Sequence, residues 1–138
     1  MSISKVMVNG LPGNVARTVA AYLLKDDRFE LVPHSLTGPE IQESETTIDN
    51  ICVKLIQADQ RDSHIRQIKQ SQGEFLTVDY THPSAVNSNA DFYCRFGLPF
   101  VMGTTGGDRH KLQATVESSS IAAVIAPNMA KQIVGLQA

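Results

Sequence analysis

The chain of 138 residues has no tryptophan, only two cysteines, and aromatic residues at just 6% of its positions. Two cysteines are too few for a disulfide framework and lack the spacing of metal ligands. We therefore expect Cys52 and Cys94 to be reduced packing residues, and we expect no metal site. No apolar run approaches the length of a membrane span, and we expect no secretory leader before Lys5. A formal net charge of −2 gives no electrostatic reason to expect nucleic acid or a membrane surface as a partner.

The composition that remains is typical of a folded, soluble protein. Hydrophobic residues make up 42% of the chain and charged residues 19%. A chain of this length is one domain of ordinary size that can bury a core. We expect a cytoplasmic protein, or one of the plastid stroma if the organism is a plant or an alga.

A glycine turn near the start of the chain is the feature from which the fold is predicted. Residues 5–8 predict a short buried strand, and residues 14–24 repeat apolar positions at helical spacing. Between them, Gly10 permits a sharp turn and Gly13 lets the backbone approach a pyrophosphate, whose charge the free amides of the helix start would hold. Ala16 replaces the third glycine of the dinucleotide-binding fingerprint and still permits close helix–strand packing. The same pattern also fits an ordinary strand–helix turn.

Strands and helices alternate through the rest of the chain. We predict strands at residues 29–35, 51–56, 75–80, 100–102 and 121–126, and helices at residues 59–70, 84–96 and 108–119, with a last helix beginning at residue 129. The polar residues 40–50 predict a loop. Alternation of this kind is typical of an α/β fold with a doubly wound parallel sheet, whose loops at the carboxyl ends of the strands hold the ligand.

Smaller features add detail to this prediction. Pro33 lies late in the second strand and indicates an edge strand or an early end. Asp59 is a possible N-cap of the second helix, in which Ile65 and Ile68 would face inward. The first helix would bury one apolar stripe, formed by Val15, Ala16, Val19, Ala20 and Leu23.

The end of the second strand bears on the choice of cofactor. In dinucleotide sites an acidic residue here accepts the adenosine ribose hydroxyl of NAD, and its absence leaves room for the phosphate of NADP. Residues 34–38 contain no carboxylate, and the next one along the chain is Glu40. The sequence therefore leans slightly towards NADPH, although no arginine stands nearby to bind the phosphate.

Four motifs resemble those of the dihydrodipicolinate reductase family of lysine biosynthesis, especially its plant-type branch. They are Val-Asn-Gly-Leu-Pro-Gly at residues 8–13, Val-Asp-Tyr-Thr-His-Pro-Ser-Ala-Val at residues 78–86, Pro-Phe-Val-Met-Gly-Thr-Thr-Gly-Gly-Asp-Arg at residues 99–109, and Ala-Pro-Asn-Met-Ala-Lys-Gln at residues 126–132. The resemblance covers nearly the whole chain. It implies a Rossmann-like domain that binds NADPH or NADH, and an NAD(P)H-dependent reductase as the complete enzyme.

The resemblance also implies which residues contact the cofactor. The first loop would lie under the pyrophosphate, the end of the second strand would meet the ribose, and the later loops would border the nicotinamide and the substrate. The hydroxyls of the Gly-Thr-Thr loop could donate to a carboxylate or an amide. The expected cofactor-binding residues are Gly10, Leu11, Pro12, Gly13, Asn14, Val15, Ser35, Thr37, Tyr80, Thr81, Gly103, Thr104, Thr105, Ala126, Pro127, Asn128 and Met129.

Two departures from the family pattern limit what this chain is expected to do alone. The usual Arg-Met-Gly after the second glycine is Asn-Val-Ala at residues 14–16, which bears on the strength of pyrophosphate binding. Family members also have a second domain, with a His-rich motif that supplies the proton donor and further residues that grip a dicarboxylate substrate. None of this chain's four histidines matches that motif, so we expect no catalytic residue in residues 1–138, which would form one dinucleotide-binding domain ending at the hinge.

The complete enzyme would transfer a hydride to a cyclic imine or enamine dicarboxylate and would be a homo-oligomer. Two other interpretations remain open at this point. One is a catalytically silent short relative that senses nucleotide or serves as an interaction module, and the other is a different two-domain dehydrogenase with the same loops. We expect His64 to be solvated and His82 to be an incidental loop residue.

Overall fold

The computed structural model describes residues 3–104 and 107–125. In this part of the chain, eight strands and four helices follow one another, and two short 3₁₀ turns, Ala58–Gln60 and Pro83–Ala85, precede α2 and α3. The elements are β1 (Ser4–Asn9), α1 (Asn14–Leu24), β2 (Phe29–Leu31), β3 (His34–Leu36), β4 (Glu45–Ile48), β5 (Ile51–Ile56), α2 (Arg61–Gln72), β6 (Leu76–Asp79), α3 (Val86–Arg95), β7 (Phe100–Met102), α4 (Arg109–Glu117) and β8 (Ala123–Ile125).

Five strands form one parallel sheet in the order β2-β1-β6-β7-β8. From β1 the chain passes to β2 on one side, and from β6 it passes to β7 and β8 on the other. The order therefore reverses between β1 and β6, where Val8 pairs with Val78 and Asn9 with Asp79. In open α/β sheets a ligand binds outside the carboxyl ends of the strands at such a switch point. The predicted α/β, Rossmann-like parallel sheet is confirmed.

The region between α1 and α2 differs from the prediction, because it builds a second sheet in the order β3-β5-β4. The single strand expected at residues 29–35 is two strands. Val32 donates its amide to the Val6 carbonyl of the large sheet (2.8 Å), whereas the Pro33 carbonyl accepts from Lys54 of the small one (3.0 Å). Proline has no amide with which to continue a ladder, so the chain changes sheets at this residue. β2 is an edge strand, as Pro33 indicated.

The loop expected at residues 40–50 contains β4, which pairs antiparallel with β5. Asp49 and Asn50, which connect the two strands, both have positive φ angles, 45° and 73°. Positive φ at both central residues is typical of a two-residue hairpin turn, and Asp and Asn are among the residues that tolerate it. The Asp-Asn pair at residues 49–50 was the signal in the sequence for this hairpin. The polar composition of residues 40–50 made the segment look like a loop instead.

The large sheet separates two halves of the core. Because side chains alternate along a strand, Val6 and Val8 of β1 pack with α1 and the small sheet, whereas Met7 packs with α2, α3 and α4. Helix α1 begins and ends as predicted and buries Ala16, Ala20 and Leu23. Val15 was wrongly placed in its buried stripe, since it is 58% exposed in the first turn of the helix.

Other local expectations can be checked in the same way. Asp59 is not the N-cap of α2, because it lies in the 3₁₀ turn, and the capping position is Gln60. Ile65 and Ile68 are buried, as predicted. Both cysteines are free, but Cys52 is exposed and does not pack in the core. The predicted helix from residue 129 lies outside the described residues. Over the described residues, no helix combines the length and apolar character that a bilayer crossing needs.

Candidate nucleotide-binding site

The glycine turn between β1 and α1 lies directly against the end of β6. Gly10 has a φ angle of +110°, a conformation that side chains other than glycine's rarely adopt. A Cβ atom here would also overlap the backbone carbonyl of Tyr80. The turn is closed by the amide of Gly13, which donates to the Gly10 carbonyl (2.9 Å). Gly10 is therefore required by both its backbone angle and its neighbour.

The start of α1 has no side-chain cap. Gly13 is the N-cap residue with φ −59° and ψ 152°, and the first turn has no acidic residue. Within the part of the chain that the structure describes, no side chain caps the first-turn amides. Asn14 and Val15 are exposed there. The first amides of a helix have no partner within the helix and carry a partial positive charge. An uncapped helix start behind a glycine turn fits the pyrophosphate of a dinucleotide.

Two hydroxyl groups of the β3 region brace this turn from below. The Leu11 amide donates to Ser35 Oγ (3.2 Å), and Thr37 Oγ1 donates to the Leu11 carbonyl (2.8 Å). The Gly10 amide also donates to the Leu36 carbonyl (3.0 Å). Ser35 is fully buried and Thr37 nearly so. These hydroxyls hold the glycine turn in place, and a direct contact of either with the cofactor stays a prediction.

The loops after β6 and β7 meet at the carboxylate of Asp79, which is fully buried. Its Oδ1 accepts three hydrogen bonds, from the Thr81 amide (3.0 Å), from Thr81 Oγ1 (2.7 Å) and from Thr104 Oγ1 (2.8 Å). The Asp79 carbonyl accepts from the Gly103 amide (2.9 Å). One side chain therefore joins the ends of two neighbouring strands.

The other oxygen of Asp79 is held by α3. Its Oδ2 accepts from the Tyr93 hydroxyl and from Asn89 Nδ2 (3.0 Å). The Tyr93 hydroxyl in turn accepts from Asn9 Nδ2 (3.0 Å), and Asn9 Oδ1 accepts from the Leu36 amide (2.8 Å). The network therefore runs under the switch point from β3 to β7.

Burial and charge set the protonation of two groups around this carboxylate. Burial first, and then the negative charge of Asp79, raise the pKa of the Tyr93 phenol well above its ordinary value. The Tyr93 hydroxyl therefore keeps its proton at neutral pH. Burial lowers the pKa of the Arg61 guanidinium, which donates to Asn89 Oδ1 (3.0 Å) and lies 4.5 Å from the Phe92 ring centroid. Arginine remains protonated at neutral pH.

The geometry corrects one expectation about the Gly-Thr-Thr loop. A hydroxyl group has one proton to donate, and Thr104 Oγ1 directs it towards Asp79, at 2.8 Å from Oδ1 and 3.2 Å from the main-chain oxygen. In this structure the Thr104 hydroxyl therefore holds the loop and does not donate to a ligand. Gly103 is packed so closely against the Tyr80 ring that a Cβ atom would overlap it.

The structure brings most of the predicted cofactor residues to one edge of the large sheet. The residues from Gly10 to Val15 follow β1, Tyr80 and Thr81 follow β6, and Gly103 and Thr104 follow β7. Ser35 and Thr37 lie behind the glycine turn. Five predicted residues lie outside the described residues: Thr105, Ala126, Pro127, Asn128 and Met129.

Sequence reasoning missed the side chains under the site, namely Asn9, Asp79, Asn89 and Tyr93. One signal was present, because Asp79 is a charged residue inside the apolar run at residues 75–80. A buried carboxylate needs hydrogen-bond donors. The sequence did not identify the distant ones, because Asn89 and Thr104 lie 10 and 25 positions from Asp79 along the chain.

The structure tests the expectations for His82 and His64. His82 is exposed and caps the Pro83–Ala85 turn, where its Nδ1 accepts from the Ser84 amide (3.1 Å). It is thus a loop residue, as expected. His64 is only partly exposed, and its Nδ1 is buried without a hydrogen-bond partner among the described residues, so the expectation of full solvation was wrong.

Comparison with known proteins shows a match to dihydrodipicolinate reductases over most of the chain. The family model described as dihydrodipicolinate reductase, N-terminus, matches residues 4–129. The chain is 41% identical to 4-hydroxy-tetrahydrodipicolinate reductase 1, chloroplastic, of Arabidopsis thaliana, over 96% of this chain and 38% of that enzyme. It is 38% identical, with the same coverages, to the probable chloroplastic reductase 1 of Oryza sativa subsp. japonica.

A solved structure shares the fold. It is the dipicolinate-bound dihydrodipicolinate reductase of Paenisporosarcina sp. TG-14, with a TM-score of 0.69 and 20% identity, over 92% of this chain and 48% of that one. The chain therefore spans about two fifths of the plant relatives and about half of this structural neighbour.

Proposed function

The chain belongs to the dihydrodipicolinate reductase family, and on that premise we propose that residues 1–138 form one domain that binds NAD(P)H for a reductase of lysine biosynthesis. The observation that carries the proposal is the meeting of three loops at the switch point of a parallel sheet. One of them ends in an uncapped helix start, and the other two are fixed on Asp79. Such a crevice is where open α/β sheets bind nucleotides.

Each part of the site has a distinct role in this proposal. The amides of Asn14 and Val15 face the pyrophosphate, whose charge the helix start favours. Tyr80, Thr81, Gly103 and Thr104 border the nicotinamide, and the bound cofactor supplies the hydride. The residues of this chain orient the cofactor, and in this proposal the proton donor for the reaction lies outside residues 1–138.

Substrate binding and proton donation are assigned in this proposal to parts of the complete enzyme outside residues 1–138. The structural neighbour is described as bound to dipicolinate, and we propose a cyclic dicarboxylate imine or enamine as the substrate here. A second domain would supply the proton donor and the groups that grip the substrate, and the complete enzyme would be a homo-oligomer. The chloroplastic relatives favour the plastid stroma if the source is a plant or an alga, and the cytoplasm otherwise.

The choice between NADPH and NADH centres on Glu40. A Cβ atom on Gly38 would lie 2.6 Å from both carboxylate oxygens of Glu40, so this carboxylate folds back over Gly38, two residues beyond the end of β3. A carboxylate at this place accepts a ribose hydroxyl and repels a phosphate. We expect Glu40→Gln to raise the affinity for NADPH relative to NADH about threefold to tenfold, as removal of a charge near a surface phosphate would. An unchanged ratio would place Glu40 outside the site.

Titration of the chain with NADPH and NADH, followed by calorimetry, tests the proposed function. We expect saturable binding of at least one cofactor at one site per chain, and no turnover with a cyclic dicarboxylate substrate. Absence of binding for both cofactors at millimolar concentration, in a sample with a cooperative melt, would contradict it.

A further inference from the structure

We propose that Asp79 is a positioning residue. It holds the loops after β6 and β7, on the nicotinamide side of the site, in place independently of the pyrophosphate side. This inference rests on the proposed function, because it assigns the loops after β6 and β7 to the nicotinamide. It concerns a side chain that lies beneath those loops. Asp79 is fully buried and therefore acts through other residues and does not touch the substrate.

The two carboxylate oxygens of Asp79 have separate sets of partners. Oδ1 receives donors from both loops, Thr81 after β6 and Thr104 after β7. Among the described residues, the donors to Oδ2 both lie on α3: the Tyr93 hydroxyl and Asn89 Nδ2. The helix therefore fixes the orientation of the carboxylate and also holds the loop after β6 directly, since Asn89 Nδ2 donates to Thr81 Oγ1 (3.0 Å). The carboxylate joins that loop to the loop after β7.

An uncharged side chain of the same shape cannot replace this carboxylate. A carboxylate offers acceptors on both oxygens, whereas an asparagine side chain offers one acceptor and one NH₂ donor. In the Asp79→Asn variant, the new NH₂ group would face either the donors of Thr81 and Thr104 or those of Tyr93 and Asn89. Donors that lose their acceptor in a buried site are costly, so the substitution releases one side of the network.

Asp79 makes no direct hydrogen bond to the glycine turn, and its connection to that turn is indirect, through Tyr93, Asn9 and Leu36. The turn is held by Ser35 and Thr37, which bond to the backbone of Leu11, and Asp79 bonds to none of these three residues. Loss of the Asp79 charge should therefore disturb the nicotinamide while leaving the pyrophosphate and the adenosine bound.

The test compares NADH with ADP, which carries the adenosine and the pyrophosphate but no nicotinamide. We expect Asp79→Asn to lose about tenfold in NADH affinity, the effect of one lost charge-assisted hydrogen bond, and to lose the change in nicotinamide fluorescence on binding. The ADP affinity should stay within about twofold of the wild type, since its contacts do not involve these loops.

Thr77→Val is the matched control. Thr77 is buried on the same strand, two residues before Asp79, and its hydroxyl has no hydrogen-bond partner among the described residues. The Thr77→Val variant should bind NADH and ADP with the affinities of the wild type. Thr104→Val and Thr104→Ser cover the case in which Asp79→Asn does not fold. The valine variant removes the β7 donor and should show the same split between NADH and ADP, and the serine variant, which keeps the hydroxyl, should restore the fluorescence change.

A general loss of structure would lower both affinities together. Parallel losses of NADH and ADP binding, or an unchanged fluorescence signature in the variants, would overturn the positioning role while leaving the proposed function intact. Failure of the wild type to bind either ligand would overturn both.

Discussion

The two edges of the large sheet differ in the polar groups that lie around them. At the amino edge lies a cavity of about 700 Å³, lined by Lys5, Phe29, Lys69 and Phe75 among others. Its two ammonium groups already donate to backbone carbonyls, those of Gln72 and Phe96. None of the polar residues described around it is buried.

At the carboxyl edge the loops lie on buried polar side chains, Asn9, Asp79, Asn89 and Thr104. Burial of polar groups costs free energy unless every group finds a partner, so such a network is a specific feature of this edge. The volume of a cavity therefore does not locate the site in this molecule. The glycine turn and the buried polar network locate it at the carboxyl edge. Four substitutions test this difference between the two edges.

The largest effect is expected from alanine at Gly10, compared with alanine at Gly73. Both glycines have positive φ angles, +110° and +77°, but a Cβ atom on Gly10 overlaps the Tyr80 backbone, whereas Gly73, at the amino edge, has nothing within 4 Å. We expect Gly10→Ala to destabilise the fold by about 3 kcal/mol or more and Gly73→Ala by about 1 kcal/mol. Urea unfolding measures both, and equal losses would show that the contact between the turn and β6 contributes nothing.

The next effect is on binding alone. Gly13 is the N-cap of α1, where aspartate and asparagine are both good capping residues. Gly13→Asp adds a charge beside the pyrophosphate and engages the amides that would bind it. We expect about 1–2 kcal/mol, or roughly tenfold, weaker NADH binding than in Gly13→Asn.

Both Gly13 variants should lose a similar amount of stability, because a Cβ atom at 2.9 Å from the Gly10 carbonyl forces the same shift of the turn in each. Equal NADH affinities for the aspartate and asparagine variants would mean that the turn does not meet a negatively charged ligand.

A smaller effect is expected from Lys69→Met at the amino edge. The change removes a cation from the cavity and its hydrogen bond to the Phe96 carbonyl, which should cost at most about 1 kcal/mol of stability. The NADH affinity should not change, because the cavity lies at the opposite edge from the site. A tenfold loss in calorimetric titration would move the nucleotide to the amino edge.

The smallest effect concerns pH and His34, the first residue of β3. Burial first, and then the positive charges of His64 and Lys54, lower the pKa of His34 from 6.5. The unfolded chain therefore binds the proton more readily than the folded one, and stability present above pH 6.5 is lost as the pH falls through and below that value. His34→Gln should show a smaller decrease in melting temperature between pH 7.5 and about 5.5 than the wild type. An identical decrease would assign the acid sensitivity to other groups.

The sequence predicted the parts of this contrast that depend on neighbouring residues. The strand, glycine turn and helix at residues 4–24 follow from local spacing, and the alternation of elements indicated the parallel sheet. β4 was missed because an exposed edge strand with Glu45, Thr46 and Thr47 lacks apolar alternation. The buried network was missed because its members lie on β1, β6, α3 and the loop after β7, and only the fold brings them together.

Amide chemical shifts in solution can map NADH onto one of the two edges and so decide between them. We expect NADH to shift the amides of Gly10, Gly13, Thr81 and Gly103 at the carboxyl edge, while Gly73 and other amides around the amino-edge cavity stay in place. In Asp79→Asn the shifts of Thr81 and Gly103 should diminish while those of Gly10 and Gly13 persist. Shifts centred on the amino-edge cavity, with the glycine turn unperturbed, would contradict a nucleotide site at the carboxyl edge.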